Sequence, residues 1–209
     1  MTSSKSNLDL VYCDDSLLVA NKPAGLLAVP GRGEDKQDCL SSRLQQDFPD
    51  ALIVHRLDMS TSGLMLFARG AEMQKRLSLM FQDREVKKRY VAVVAGKLDP
   101  ETGEVNLPIA ADWPNRPLQK IDAESGKHSL TRYRLLGFDN DNTRVELEPV
   151  TGRTHQLRVH MSAIGHPILG DALYGDEASA PRLMLHASLL KLLHPVTGVP
   201  LCFVSAAPF

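Results

Sequence analysis

Little cysteine, almost no excess charge and no long apolar run are what first mark this 209-residue chain. The three cysteines, Cys13, Cys39 and Cys202, are odd in number and lack a C-x-x-C pair, which argues against a disulfide framework or a cysteine zinc site. The formal net charge of −1 means that no global basic field advertises a nucleic-acid partner, although a local basic cleft can still steer one. No stretch approaches the ~18 apolar residues of a membrane span, and the opening MTSSKSNLDL lacks the apolar core of a secretory signal. The expectation is a soluble, cytoplasmic protein with no membrane association. Also missing are G-x-x-x-x-G-K and G-x-G-x-x-G phosphate loops and a G-x-S-x-G nucleophile elbow. What is present is 43% hydrophobic content, enough for one sizeable core. A single domain over 1–209, with 1–8 flexible, is therefore expected.

Strand-like segments dominate the first third. LDLVY and LLVANKP flank the turn residues Asp14-Asp15-Ser16 and predict a hairpin. A short helix is expected over 38–47, a strand over 51–58 and another over 64–68, joined by a turn at Met59–Gly63. Met73, Leu77, Met80 and Phe81 recur at helical spacing and predict a helix over 71–82, with Arg76 and Gln82 on its wet side. VKKRYVAVVAG returns to a β-rich run. The proline-rich middle predicts loops with short strands, and HSLTRYRLLGF and TRVELEPV read as half-buried antiparallel strands. TGRTHQLRVHMSAIG predicts a helix capped by Thr151 and stopped at Gly165. RLMLHASLLKL and PLCFVSAA close the chain. Many strands with few helices, out of strict alternation, argue for an α+β fold on a mixed or antiparallel sheet.

Two clusters carry candidate chemistry. In HRLDMSTSG, Asp58 lies at the end of the expected strand, on the same face as Val54 and Arg56, with Ser60, Thr61 and Ser62 following. An aspartate there often only makes an Asx turn, and on local sequence alone that reading prevails. In TGRTHQLRVH, Arg153 sits at the helix start, where the dipole disfavours a cation, so a fixed anionic partner is implied. An Asp58–Arg153 pair would hold the carboxylate ionised, but on local sequence alone a solvated arginine is the prevailing reading. His155 and His160 are spaced i, i+5 on a helix and cannot chelate one ion from one face, and His166 adds no H-E-x-x-H pattern, so a metal site is rejected. Lys87, Lys88 and Arg89 precede Tyr90. They are either a lysine-protected strand edge or a phosphate-contacting patch beside a base-stacking aromatic.

In this order and spacing, HRLDMSTSGLMLFAR, KKRYVAVVAG, TGRTHQLRVHMSAIGHPILGD and RLMLHA, with VANKPAGLLAVPG ahead of them, resemble the RluA-type pseudouridine synthases. The resemblance spans roughly residues 10 to 209, and it reverses the weighting against Asp58 and Arg153. DWPNRPLQK is similar to members that modify both large-subunit ribosomal RNA and tRNA.

The resemblance implies one catalytic domain on a large curved, mostly antiparallel sheet with a few flanking helices and a central cleft. It implies no N-terminal S4 RNA-binding domain, because the NKPAG stretch already begins at Asn21. It implies an RNA substrate in stem-loops of 23S ribosomal RNA and tRNA anticodon arms, no cofactor, and no obligatory protein partner. Asp58 becomes the essential acid, Arg153 its ion-pair partner and Tyr90 the residue stacking on uracil. Arg56 occupies the space that the flipped uridine vacates, His55 and Lys87–Arg89 join it in contacting RNA, and Leu185 walls the uracil pocket. Two other classes compete: a non-catalytic RNA-binding module, and a metal-dependent hydrolase built on His155, His160 and Asp171.

Overall fold

The computed structural model describes residues 8–209, of Asp35 the main chain only. All of the expected flexible segment except Leu8 lies outside the described residues. In chain order the elements are β1 (Asp9–Cys13), β2 (Leu17–Lys22), α1 (Leu40–Asp47), β3 (Ala51–Ile53), β4 (Ser62–Arg69) and α2 (Gly70–Gln82). There follow β5 (Lys87–Val94), β6 (Thr102–Asn106), β7 (Ile109–Ala111), β8 (Gln119–Ile121), β9 (Leu130–Asp139) and β10 (Asn142–Pro149). The last are α3 (Gln156–Ala163), β11 (Leu185–Leu193) and β12 (Pro200–Val204). Strands outnumber helices and do not alternate with them, the pattern of an α+β protein. The chain divides into two compact units, Met1–Lys87 with Ala187–Ala207 and Lys88–His186 with Pro208–Phe209, so β5 and β11 each pass from one unit into the other.

In the first unit the strand order is β1-β2-β4-β11, with β3 pairing β4 and β12 pairing β11. The pairs β1–β2, β2–β4, β3–β4 and β11–β12 are antiparallel. Asp14 makes the expected hairpin turn by accepting the amides of Ser16 at 2.7 Å and Leu17 at 2.9 Å. β4 is the central strand, and Leu64 through Ala68 are fully buried. The stripe on α2 packs as its spacing predicts: Leu77 lies inside the core with Leu64, Leu66 and Phe203, and Met73, Met80 and Phe81 pack against it. The strand expected over 51–58 is a correction. Pairing ends at Ile53↔Phe67, and 54–61 is a loop. One position further along β4, the Leu66 amide donates instead to His55 Nε2 at 2.9 Å, so a side chain replaces the next rung of the ladder. Asp58 is therefore a loop residue, and the strand-face argument for Val54, Arg56 and Asp58 does not hold.

In the second unit β5-β10-β9-β6 form antiparallel neighbours, and β7–β8 is a separate hairpin. Ala92, Val94, Val145, Leu147, Leu157, Met161 and Leu185 share its core. The second correction is the start of α3, which begins at Gln156 rather than at Thr151. His155 precedes it in the left-handed region at φ 54°, and Arg153 belongs to the turn before the helix. The stop is as expected. Gly165, at φ +86°, donates to the Ser162 carbonyl at 3.0 Å, and His166 donates to Met161 at 2.9 Å, a Schellman closure that needs a residue without a Cβ penalty.

Candidate active site

The Asp58 loop is held from both sides. Leu57 is buried, and the Asp58 carbonyl accepts the Thr61 amide at 3.1 Å. The Met59 carbonyl accepts the Gly25 amide at 2.9 Å and the Lys22 ammonium at 3.0 Å. Lys22 is 1% exposed, and its ammonium also donates to the carbonyls of Leu26 at 2.7 Å and Pro23 at 2.9 Å. A buried ammonium survives only when its protons are taken up this way. Gly63 follows at φ +113°; a Cβ there would collide with the Ala187 carbonyl oxygen and lie 2.5 Å from its nitrogen. The glycine that ends HRLDMSTSG thus lets β4 approach β11 directly behind the loop.

Other expected residues of this unit differ in kind. Arg56 is exposed, as is Lys87 at the start of β5. His55 stacks on Phe81 with centroids 4.5 Å apart while its Nε2 accepts the Leu66 amide, so the ring is engaged with its own fold.

In the second unit, alternation along β5 puts Lys88 and Tyr90 on the face whose next members are the buried Ala92 and Val94, and Arg89 on the other. Tyr90 packs against the core cluster that contains Leu185, itself 3% exposed. Burial pushes the Lys88 ammonium below its ordinary pKa, and a side chain at Gly152 would meet its Nζ at 3.9 Å. Lys88 therefore borders the turn that carries Arg153. Arg89 faces Glu146 at 3.4 Å and Glu148 at 3.5 Å, beside the cross-strand pairs Arg134–Glu146 at 3.1 Å and Arg132–Glu104 at 2.7 Å.

The Arg153 turn is organised by Gln156, 4% exposed. Its Oε1 accepts the Thr151 hydroxyl at 2.7 Å and the Arg153 amide at 3.0 Å. Its Nε2 donates to the Leu130 carbonyl and the Thr131 hydroxyl, both at 3.0 Å. Thr151, the expected cap, instead accepts the Leu130 amide at 2.9 Å. Arg153 Nε reaches the His128 carbonyl at 3.3 Å.

The histidines of the rejected metal reading go to separate partners. His155 Nδ1 meets the Tyr174 hydroxyl at 2.7 Å, and His166 Nδ1 meets the Ala95 carbonyl at 2.8 Å. His160 lies between Thr131 Oγ1 and the Leu107 carbonyl, both at 2.9 Å. A carbonyl can only accept, so His160 Nε2 carries the proton and Nδ1 accepts from Thr131. Asp171 is held by a two-pronged pair with buried Arg158, at 2.8 Å and 2.6 Å. Burial alone would raise its pKa, but Arg158 and the amides of Leu173 and Tyr174 bring it below the ordinary carboxylate value.

With this geometry in place, comparison with known proteins is decisive. The family model described as RNA pseudouridylate synthase matches residues 16–163. The chain belongs to this family. It is 50% identical over 206 residues to the dual-specificity RNA pseudouridine synthase RluA of Escherichia coli K12, covering 97% of this chain and 94% of that one. Against the RluA of Yersinia pestis the identity is 48% over 204 residues, covering 96% and 99%. Among solved structures, human RNA pseudouridylate synthase domain containing 1 superposes with a TM-score of 0.81 at 31% identity, covering all of this chain and 87% of that one.

As a pseudouridine synthase, the chain has the α+β pseudouridine synthase fold that the sequence resemblance implied, and its partner is RNA. No described helix is long and apolar enough to cross a membrane. Sequence reasoning overlooked Lys22, Gln156, Tyr174 and the Arg158–Asp171 pair. A lysine closing the strand that begins with the apolar run Leu17–Ala20, all of it buried, was the one available signal.

Proposed function

We propose that this chain isomerises uridine to pseudouridine in stem-loops of 23S ribosomal RNA and of tRNA anticodon arms, in the cytoplasm, as a single catalytic domain spanning 1–209. The observation that carries the proposal is the 50% identity over 97% of the chain to an enzyme named for dual specificity. The reaction breaks the N1–C1′ bond of a uridine, turns the base and joins C5 to C1′, releasing the C5 hydrogen as a proton while N1 takes one up. Substrate and product are isomers, so no oxidant, reductant or energy source is consumed. An ordinary glycosidase needs two carboxylates across the bond; here the detached base stays as the second reactant, and one carboxylate suffices.

Asp58 is the proposed catalyst, by attack at C1′, attack at C6, or removal of the 2′ proton. Its support is the doubly held loop, which fixes the main chain on either side of the carboxylate. Arg153 is its proposed ion-pair partner, on a turn fixed by Gln156. Tyr90 stacks on the uracil ring above an apolar wall that includes Leu185. Arg56 fills the gap left by the flipped uridine, whose extrusion costs a few kcal/mol and least in a loop. Exposed Lys87 and half-buried Lys88 make the phosphate contacts. His55 and Arg89 move to supporting roles, because the His55 ring accepts a strand amide and Arg89 faces two glutamates.

The test is Asp58→Asn, which removes the charge at nearly constant volume. An asparagine serves an Asx turn almost as well as an aspartate, so folding and RNA binding are retained. With RNA tritiated at uridine C5, wild type releases tritium to solvent and the variant releases none above background, with Asp58→Ala run beside it as a control for deamidation. Release by both variants close to the wild-type rate removes Asp58 as the catalyst.

A further inference from the structure

The β7–β8 hairpin carries the chain's single tryptophan at its tip. Trp113 is 66% exposed, while Ile109 at the hairpin's base is buried, so the indole is not what holds the hairpin to its unit. The loop is nonetheless tied together by its own hydrogen bonds. Asp112 donates to the Leu118 carbonyl at 3.0 Å, Asn115 to Asp112 at 3.1 Å and Leu118 to Asn115 at 3.0 Å. The Arg116 guanidinium lies 4.3 Å from the centre of the indole ring, and its Nε donates to the Trp113 carbonyl at 3.3 Å. Elsewhere in this unit Arg89, Arg132, Arg134 and Arg158 each face a carboxylate. Among the described residues Arg116 has no such partner. An exposed aromatic plane with a cation stacked on it and no anion to neutralise that cation suits a planar ligand with a negative charge beside it. The hairpin is also tied to the Arg153 region. The Gln119 amide donates to the Tyr174 hydroxyl at 2.8 Å, and that hydroxyl meets His155 Nδ1 at 2.7 Å, immediately before α3.

We propose that Trp113 and Arg116 form a second RNA contact, for a base other than the reacting uridine, in which an unpaired base of the substrate loop stacks on the indole and Arg116 pairs with the adjoining phosphate. The proposal rests on the RNA substrate argued above. It makes the β7–β8 tip a specificity element that recognises a splayed loop base, while Tyr174 relays the hairpin's position to the turn before α3.

Because Trp113 is the only tryptophan, the intrinsic tryptophan emission of the unaltered protein reports this site alone. An unmodified transcript of a tRNA anticodon stem-loop is titrated into the protein, following emission, acrylamide quenching and, separately, fluorescence anisotropy of an end-labelled transcript. Emission should fall and acrylamide accessibility should drop with the midpoint seen by anisotropy. In tritium-release kinetics Trp113→Ala should raise KM roughly tenfold with little change in kcat, from the lost stacking, and Trp113→Phe should recover most of it. Arg116→Gln should lower the salt slope of binding by about one phosphate contact. Binding by anisotropy with unchanged emission and quenching, or a wild-type KM in Trp113→Ala, overturns the platform while leaving the substrate reading intact. Failure of the transcript to bind at all in anisotropy overturns the substrate reading and the platform together.

Discussion

The Lys22 ammonium donates to the main-chain carbonyl of Met59 at 3.0 Å, one residue after the proposed catalyst Asp58. Thirty-seven positions separate the two residues, yet this bond joins the end of β2 to the loop ahead of β4. Replacing Lys22 by methionine keeps much of the side-chain volume and orphans the carbonyls of Pro23 and Leu26, while Met59 keeps only Gly25. The expected loss is about 2–3 kcal/mol of stability in urea unfolding. Single-turnover tritium release should fall more than RNA binding does. A variant with wild-type stability and turnover would show that the ammonium does not position the loop.

Gly63→Ala places a methyl group against the Ala187 main chain at a backbone φ of +113°. The collision involves a backbone that cannot rotate away, so β4 and β11 must separate. A midpoint shift corresponding to roughly 3 kcal/mol or more is expected in urea unfolding. An alanine variant within about 0.5 kcal/mol of wild type would contradict the close approach of these strands.

Acid should weaken the protein in two stages. Burial holds His160 below its ordinary value of 6.5, despite an opposing contribution from the Leu107 carbonyl. Between its folded value and 6.5 the unfolded chain binds more protons, so stability falls as pH drops through that window. Asp171 and Asp14 are lowered from 3.8: burial opposes ionisation, but Arg158 in one case and Tyr12, two amides and His194 in the other outweigh it. Their contribution is complete above 3.8 and is lost as pH falls through the depressed folded values. Melting temperatures should therefore decline below about pH 6.5 and again below about pH 4. His160→Gln should flatten the first decline relative to wild type, and an unchanged profile would remove His160 as its source.

Arg153→Lys keeps the charge and loses the planar fork. If Arg153 pairs with Asp58 in the working enzyme, turnover should drop at least tenfold while the melting temperature stays near wild type, because the Arg153 side chain is exposed and its amide bond to Gln156 does not depend on the guanidinium. Near-normal turnover in the lysine variant would dispose of a geometry-specific pair.

Local patterns in the sequence were enough to determine much of the fold. The stripe from Met73 to Phe81 defined α2, Asp14 made its hairpin, Gly165 stopped α3, and alternating residues marked β9 and β10, because each of these depends on neighbours a few positions away. The quoted motifs also identified the family, a matter of residue identity in order and spacing rather than of geometry. Tertiary structure alone decided where β3 ends and where α3 begins. At Ile53 the ladder stops because His55 takes up the Leu66 amide from eleven residues away. At Gln156 the helix starts because one buried amide binds Thr151, Arg153, Leu130 and Thr131 together. The burial of Lys22 against Met59 and of Arg158 against Asp171 has the same origin. A polar side chain enters a core only where distant backbone or charge meets it, and no local period records which distant group that is.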